Sequence, residues 1–218
     1  MWDHVAMDPV TKLVVALEIG KRTEEQTRRL VQQAKEHLAP GWLPALFSDA
    51  YEAYPPAILE AFGNRYPVLR RGTRGRRPNP VVRCPQGLVY AQVKKHYQGR
   101  RVMGVEIRPI FGKGKLAATL GRLGFHQVNT SAIERHNNTS RQHDRRQTRK
   151  SLAFSRENRY HRWMRWLATT LYNLCWDHSG LKYREEGKVR HRSPAMAAGL
   201  TDHLWSIREW LLCPVLGR

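Results

Sequence analysis

Acidic residues are scarce in this chain, and that scarcity says most about it. Its 218 residues hold 18 Asp+Glu against 38 Lys+Arg, a formal net charge of +20 with a pI near 10.7. Such an excess costs self-repulsion in a compact state unless a polyanion relieves it, and nucleic acid is the usual polyanion because phosphate neutralisation releases counterions. Cysteine is also sparse: Cys84, Cys175 and Cys213 stand far apart and form no CxxC pair, which argues against a zinc ribbon or finger. An odd cysteine count without a signal peptide points to a reducing compartment. Residues 1–8 carry no apolar leader core, and no apolar run approaches the roughly 20 residues of a membrane span. The expected localisation is cytoplasmic. What the chain does have is 41% hydrophobic residues, seven Trp and eight Tyr, enough for a packed core and too aromatic for a disordered tail.

Residues 4–19 read as a β hairpin: Asp8-Pro9-Val10-Thr11 is turn chemistry, and Leu13 to Ile19 is an apolar, β-branched run suited to a strand buried on both faces. Thr23-Glu24-Glu25-Gln26 is a capping box opening a helix over Leu30, Val31, Ala34 and Leu38, stopped by Pro40-Gly41. A strand over 43–48 leads into Asp49. A second helix is expected from about Tyr51 to Phe62, with Pro55 and Pro56 pushing its start toward Pro55. Arg65, Arg70, Arg71, Arg74, Arg76, Arg77 and Arg83 alternate with Gly and Pro and contain no acid, so 65–83 reads as a mobile, phosphate-binding arm rather than a mere linker. Residues 87–111 are β-rich, turning at Gly99-Arg100-Arg101, and a short helix is expected at 115–123. Long helices are expected from Ser131 and over 157–176, the latter with Trp163, Trp166, Leu167, Leu171 and Leu174 on its apolar face. A charged linker, Lys182 to Arg192, precedes one last helical segment from Pro194 to Leu212. No internal repeat is visible.

The order of strand, strand, helix, then strand ending in Asp49 matches an RNase H-like fold entered at its second strand. In that fold an acid at the carboxyl end of the parallel strand meets one on the first strand and one on a later helix. Two divalent metals about 4 Å apart then activate a nucleophile and stabilise the leaving oxygen in phosphodiester exchange, and hard cations need carboxylate oxygens. A lone acid after a strand is more often a turn or cap residue. Glu134 is more telling: on a helix, Glu134, Asn137 and Arg141 fall at i, i+3 and i+7 on one face. Against this, Ser131-Ala132-Ile133-Glu134 also reads as a capping box, with Glu134 merely closing its helix.

At these residues a resemblance emerges. Ser48-Asp49-Ala50-Tyr51-Glu52-Ala53-Tyr54 resembles the second-acid motif of bacterial DDE transposases of the insertion-sequence-one type. Ile133-Glu134-Arg135-His136-Asn137, through Arg141-Gln142-His143 to Arg149-Lys150-Ser151-Leu152-Ala153-Phe154-Ser155, resembles their third-acid signature. Tyr172-Asn173 and Ser193-Pro194-Ala195-Met196-Ala197-Ala198-Gly199-Leu200 resemble C-terminal segments of longer members. The resemblance implies metal-dependent cleavage and transfer of transposon ends. Asp49 and Glu134 would be catalytic metal ligands for Mg²⁺ or Mn²⁺, with Arg141 near the end DNA. DNA contacts are expected from Arg135, Asn137, Arg141, Arg145, Arg149, Lys150, Arg71, Arg74, Arg76 and Arg77, with transposon ends and target DNA as partners. A homo-oligomer is expected in the active complex.

The departure is the first acid. The family carries it in an Asp-Glu-x-Trp type motif upstream of the hairpin, and Trp2-Asp3-His4 aligns better with the start of strand two. Asp8 is a turn former before it is a replacement ligand. A truncated frame, a degraded element or half of a split product is therefore expected, inactive by itself. His136, His143 and His161 lack partner cysteines for zinc. Trp163, Trp166 and Trp176 read as core or interface residues. The expected architecture is an α/β, RNase H-like mixed sheet flanked by helices and lacking its first strand. Its segments are 1–64 (core), 65–128 (basic insertion with a β hairpin), 129–180 (the Glu134 helix and the next) and 181–218 (helical tail). The alternatives are a non-catalytic nucleic-acid-binding remnant and a structure-specific nuclease.

Overall fold

The computed structural model describes residues 1–68, 79–148 and 152–214. They form a mixed α/β structure in two compact units: residues 20–131, the central unit, and residues 1–19 with 132–218, the composite unit. The first nineteen residues of the expected 1–64 segment thus pack with the C-terminal helices. Among the described residues no helix is long and apolar enough to cross a membrane.

The central unit is layered. β3 (Ala45–Asp49) pairs in parallel with β6 (Val89–Gln98), which pairs antiparallel with β7 (Arg101–Phe111). β6 is the middle strand, and Val89 to Val93 are buried. α1 (Glu24–Glu36) and α2 (Tyr54–Phe62) cover one face, where Val31, Ala57, Ile58 and Phe62 meet Leu88 and Tyr90. α3 (Leu116–Arg122) covers the other, packing Leu120 and Val128 on Ala91, Val93 and Phe47. Gly112 makes the exit from β7 possible: its φ is +67°, and a Cβ there would meet the Leu88 carbonyl at 2.5 Å.

The composite unit begins with a hairpin, β1 (Trp2–Met7) and β2 (Val14–Gly20), closed by the Asp8 turn. α4 (Ser131–His143) and α5 (Asn158–Leu174) follow. The side-chain amide of Asn173 accepts from the Val14 N–H at 3.0 Å and donates to the Val14 carbonyl at 2.9 Å, and the Tyr172 hydroxyl donates to the Lys12 carbonyl at 3.1 Å. The Tyr-Asn pair therefore ties α5 to the hairpin.

Several local expectations are corrected. Thr23 caps α1 by accepting from the Gln26 N–H, but the reciprocal half of the capping box does not form. The Thr23 N–H donates to the Lys21 carbonyl, and the Gln26 Oε1 is buried without a hydrogen-bond partner. Ser131 lies inside α4 rather than before it: its N–H and hydroxyl both donate to the Asn129 side-chain oxygen, so Ser131 to Glu134 is not a capping box. The arm over 65–83 has an ordered base, β4 (Asn64–Tyr66) paired antiparallel with β5 (Val81–Arg83); residues 69–78 lie outside the described residues. The Lys182–Arg192 linker is a hairpin of β8 (Tyr183–Glu185) and β9 (Lys188–Arg190), turning through Glu186 and Gly187, both at positive φ as such two-residue turns require. The last segment is two short helices, α6 (Pro194–Ala197) and α7 (Ile207–Leu212).

The largest correction is the face α5 buries. Arg165, Thr169 and Tyr172, at i, i+4 and i+7, are its buried residues, while Trp163 and Trp166 are 59% and 41% exposed. Arg165 can be interior because an acid meets it. Its Nε is 2.7 Å from Asp3 Oδ2, a charge contact whose alignment makes no hydrogen bond at Nε, and the His161 imidazole is 3.0 Å from Asp3 Oδ1.

Candidate nucleic-acid and metal site

Asp49 is the last residue of β3. A side chain at the carboxyl end of a parallel strand is carried to the rim of the sheet, where ligands of open α/β sheets are met. Its carboxylate is 61% exposed. Oδ1 accepts from the Tyr51 N–H at 3.3 Å, and Oδ2 lies 3.4 Å from an Arg22 nitrogen. The Arg22 guanidinium also sits 4.3 Å from the centroid of the Tyr51 ring, and the Tyr51 hydroxyl donates to the Arg22 carbonyl. The Gln92 side-chain amide donates to the Tyr51 carbonyl at 3.1 Å, fixing the turn from β6. Behind it, the Ser48 hydroxyl and the Tyr90 phenol share a 2.8 Å hydrogen bond. Burial, with the Asp49 charge adding to it, pushes the Tyr54 phenol well above its ordinary range, so Tyr54 stays neutral. Asp49 is thus an open, oriented carboxylate with a cation already beside it.

Glu134 lies in the first turn of α4, exposed, where a negative charge is favoured by the helix dipole. Asn137 and Arg141 are half-buried at i+3 and i+7, and an Arg141 nitrogen lies 3.4 Å from Asn138 Oδ1. Arg135 is exposed. Asp144, buried, caps the turn Arg145–Gln147 by accepting from the Arg146 N–H, which leaves the Arg145 side chain in solvent. Arg71, Arg74, Arg76, Arg77, Arg149 and Lys150 lie outside the described residues.

The opposite side of α4 is the structural one. His136 is 4% exposed and packs edge-on against Tyr172, ring centroids 4.7 Å apart. Burial, then the charges of Arg165 and His178, hold its imidazole down to about 4, so it is neutral at physiological pH. His143 packs on Trp176 and His161 pairs with Asp3, so the three histidines have three different partners. Asp8 spends its carboxylate on the Val10 N–H, the Thr11 N–H and the Thr11 hydroxyl, which is the turn role.

Asp49 belongs to the central unit and Glu134 to the composite unit. Among the described residues no group of three or more His, Cys, Asp or Glu is placed to hold a metal ion. A hard divalent cation takes six or more oxygens, so at either carboxylate alone water or phosphate would have to supply most of them. Residue reasoning missed Arg22, the cation that meets Asp49, and Asp3, whose carboxylate is committed to Arg165. No short-range pattern carries either contact. It also overlooked the basic residues of the β6–β7 hairpin, Lys94, Lys95, Arg100 and Arg101, which their strand period could have flagged. Compared with protein-family models, curated proteins and solved structures, the chain matches none.

Proposed function

We propose that this protein is a DNA-handling recombinase of the DDE transposase kind, of RNase H-like design, whose substrate is the transposon end and whose cofactor is Mg²⁺ or Mn²⁺. The observation that carries the reading is the setting of Asp49: an open carboxylate at the carboxyl end of a parallel strand, with a guanidinium beside it, in a chain of net charge +20. The motif around Glu134 supports it, because Glu134, Asn137 and Arg141 share one side of α4. Arg22 has the chemistry to exchange its carboxylate for a phosphate once a metal takes the carboxylate, since guanidinium pairs with either.

On this reading Asp49 and Glu134 are two of the set's three carboxylates, and weak end joining is expected from these two alone. Mn²⁺ titration followed by electron paramagnetic resonance on the DNA-bound protein tests the assignment. The expected outcome is a bound-Mn²⁺ signal that Asp49→Asn and Glu134→Gln each remove, alongside weak end joining. Mn²⁺ binding indifferent to both substitutions, or robust joining that survives them, sinks the assignment. A nucleic-acid binder without catalysis is the second reading, favoured by the absence of a three-ligand group among the described residues.

A further inference from the structure

β6 and β7 outrun their sheet. β3 pairs with β6 only from Ala45↔Val89 to Asp49↔Val93. Beyond Val93 the two strands continue as a pair, from Lys94↔Glu106 to Gln98↔Arg101, and turn at Gly99-Arg100. Because β3 and β6 are parallel, this ribbon leaves the sheet at the end where Asp49 sits. The stretch Lys94–Gln98, at roughly 3.3 Å per residue, reaches on the order of 15 Å past that carboxylate.

Cross-strand partners share a face, so the ribbon has two distinct sides. On one, Glu106 stands opposite Lys94 and is hydrogen-bonded to both Arg108 and His96, bonds that hold its carboxyl down to about 2, and Arg101, opposite Gln98, adds positive charge at the tip of the same side. On the other, Lys95↔Val105 and Tyr97↔Val102 continue the row Val93↔Ile107, whose members pack under α3. Past that cover the apolar row is bare: Tyr97 is 62% exposed, Val102 49%, Met103 63% and Val105 56%. A register shift at His96/Tyr97 leaves Met103 as the extra residue of a bulge, a device that increases twist. Within 94–106 the charged residues are Lys94, Lys95, Arg100 and Arg101 against the single acid Glu106.

We propose that the β6–β7 ribbon is a groove-binding arm for duplex DNA. Tyr97, Val102 and Met103 make the apolar contact in the groove, Arg100 and Arg101 hold phosphates on its walls, and the arm leads the duplex toward Asp49. Charge selects the occupant: a second copy of this chain would bring the same positive tip against itself, whereas a polyanion is complementary. Shape selects duplex DNA over duplex RNA, because the B-form major groove admits a two-stranded ribbon and the A-form groove does not. The proposal rests on DNA being the partner of this protein. It does not depend on metal chemistry at Asp49 or Glu134.

Fluorescence anisotropy with a 20-base-pair DNA duplex, repeated from about 50 to 200 mM salt, reads the arm directly. The Arg100→Ala/Arg101→Ala double variant is expected to lose about tenfold or more in affinity, and its slope of log Kd against log salt is expected to fall by about 2, one phosphate contact per arginine. Tyr97→Ala/Met103→Ala is expected to weaken binding with the slope unchanged. Arg184→Ala/Lys188→Ala, removing the same charge from β8–β9, is expected to change affinity under about threefold, as loss of two charges that make no groove contact should. All positions are exposed, and matching amide exchange in Val89–Val93 verifies that each variant is folded. Equal losses in the ribbon and β8–β9 variants, equal binding of an RNA duplex, or ribbon variants that alter only self-association would each overturn the arm. If the wild-type chain bound no DNA at all, the functional reading would fall with it. If the wild type bound DNA and the ribbon variants bound equally well, the arm alone would fall.

Discussion

The two compact units differ in whether a charge is buried with the apolar side chains. The central unit is built on apolar side chains: Leu88, just before β6, and Tyr90 and Ala91 within it have no exposed surface, and α1, α2 and α3 lay aliphatic and aromatic groups on them. The composite unit buries Val14, Ala16, Leu17 and Ile19 of β2 as well, but adds a guanidinium, an imidazole and a threonine on the α4 and α5 faces, Arg165, His136 and Thr169, and matches the charge with Asp3 on β1. An apolar core tolerates the loss of one member in proportion to the volume removed. A buried charge tolerates the loss of its partner badly, because the remaining ion must be desolvated alone. The two units should therefore fail differently, and their spectroscopic labels are separate: six of the seven tryptophans, all but Trp42, lie in the composite unit.

The largest effect is expected from Asp3→Ala. With Arg165 2% exposed and its partner gone, the composite unit should lose about 3–5 kcal/mol, read as a lowered denaturant midpoint by tryptophan fluorescence. A loss under about 1 kcal/mol would show that the buried pair is not what holds this unit. Ile58→Ala in the central unit should cost roughly 3 kcal/mol at any pH between 5 and 8, measured by amide exchange in β6. Strong pH dependence there would erase the contrast between the units.

The third expectation is a pH dependence confined to the composite unit. Above the ordinary value of 6.5, folded and unfolded chains both hold the His136 imidazole neutral. Between 6.5 and about 4 only the unfolded chain takes up the proton, so stability falls as pH falls, by about 2 kcal/mol at pH 5. His178, also held down by burial, acts in the same direction. His136→Gln should flatten the slope seen in tryptophan-monitored unfolding, and an unchanged slope would assign it elsewhere. The smallest effect is expected from Thr23→Ala, about 1 kcal/mol from the cap on α1, because only one half of the capping box forms. A cost near 2 kcal/mol in a denaturation series would imply that Gln26 takes part after all.

The same contrast explains what could be read from residues alone. The hairpin of 4–19, the start of α1 at Thr23, the strand into Asp49 and the β-rich stretch over 87–111 were legible, because period and turn chemistry are local and their apolar side is the buried side. α5 was misjudged because a count of hydrophobic residues assigns the interior to Trp163 and Trp166. It cannot know that Asp3, far away along the chain, neutralises Arg165 and makes a polar side the inner one. Asp49 was legible as a strand-end acid. The guanidinium that holds it was not, since Arg22 reaches it only after the chain has folded back through α1.

Residue order alone determined the alternation of strands and helices, the place of Asp49 at the end of a strand and the alignment of Glu134, Asn137 and Arg141, because these follow from dihedral preference and side-chain period. Only tertiary structure decided which side of α5 faces inward, that Asp3 is spent on Arg165, and that β6 and β7 run past the sheet as a basic ribbon. Those outcomes depend on which distant side chain neutralises a charge and where a neighbouring strand stops, and no short window of residues contains either.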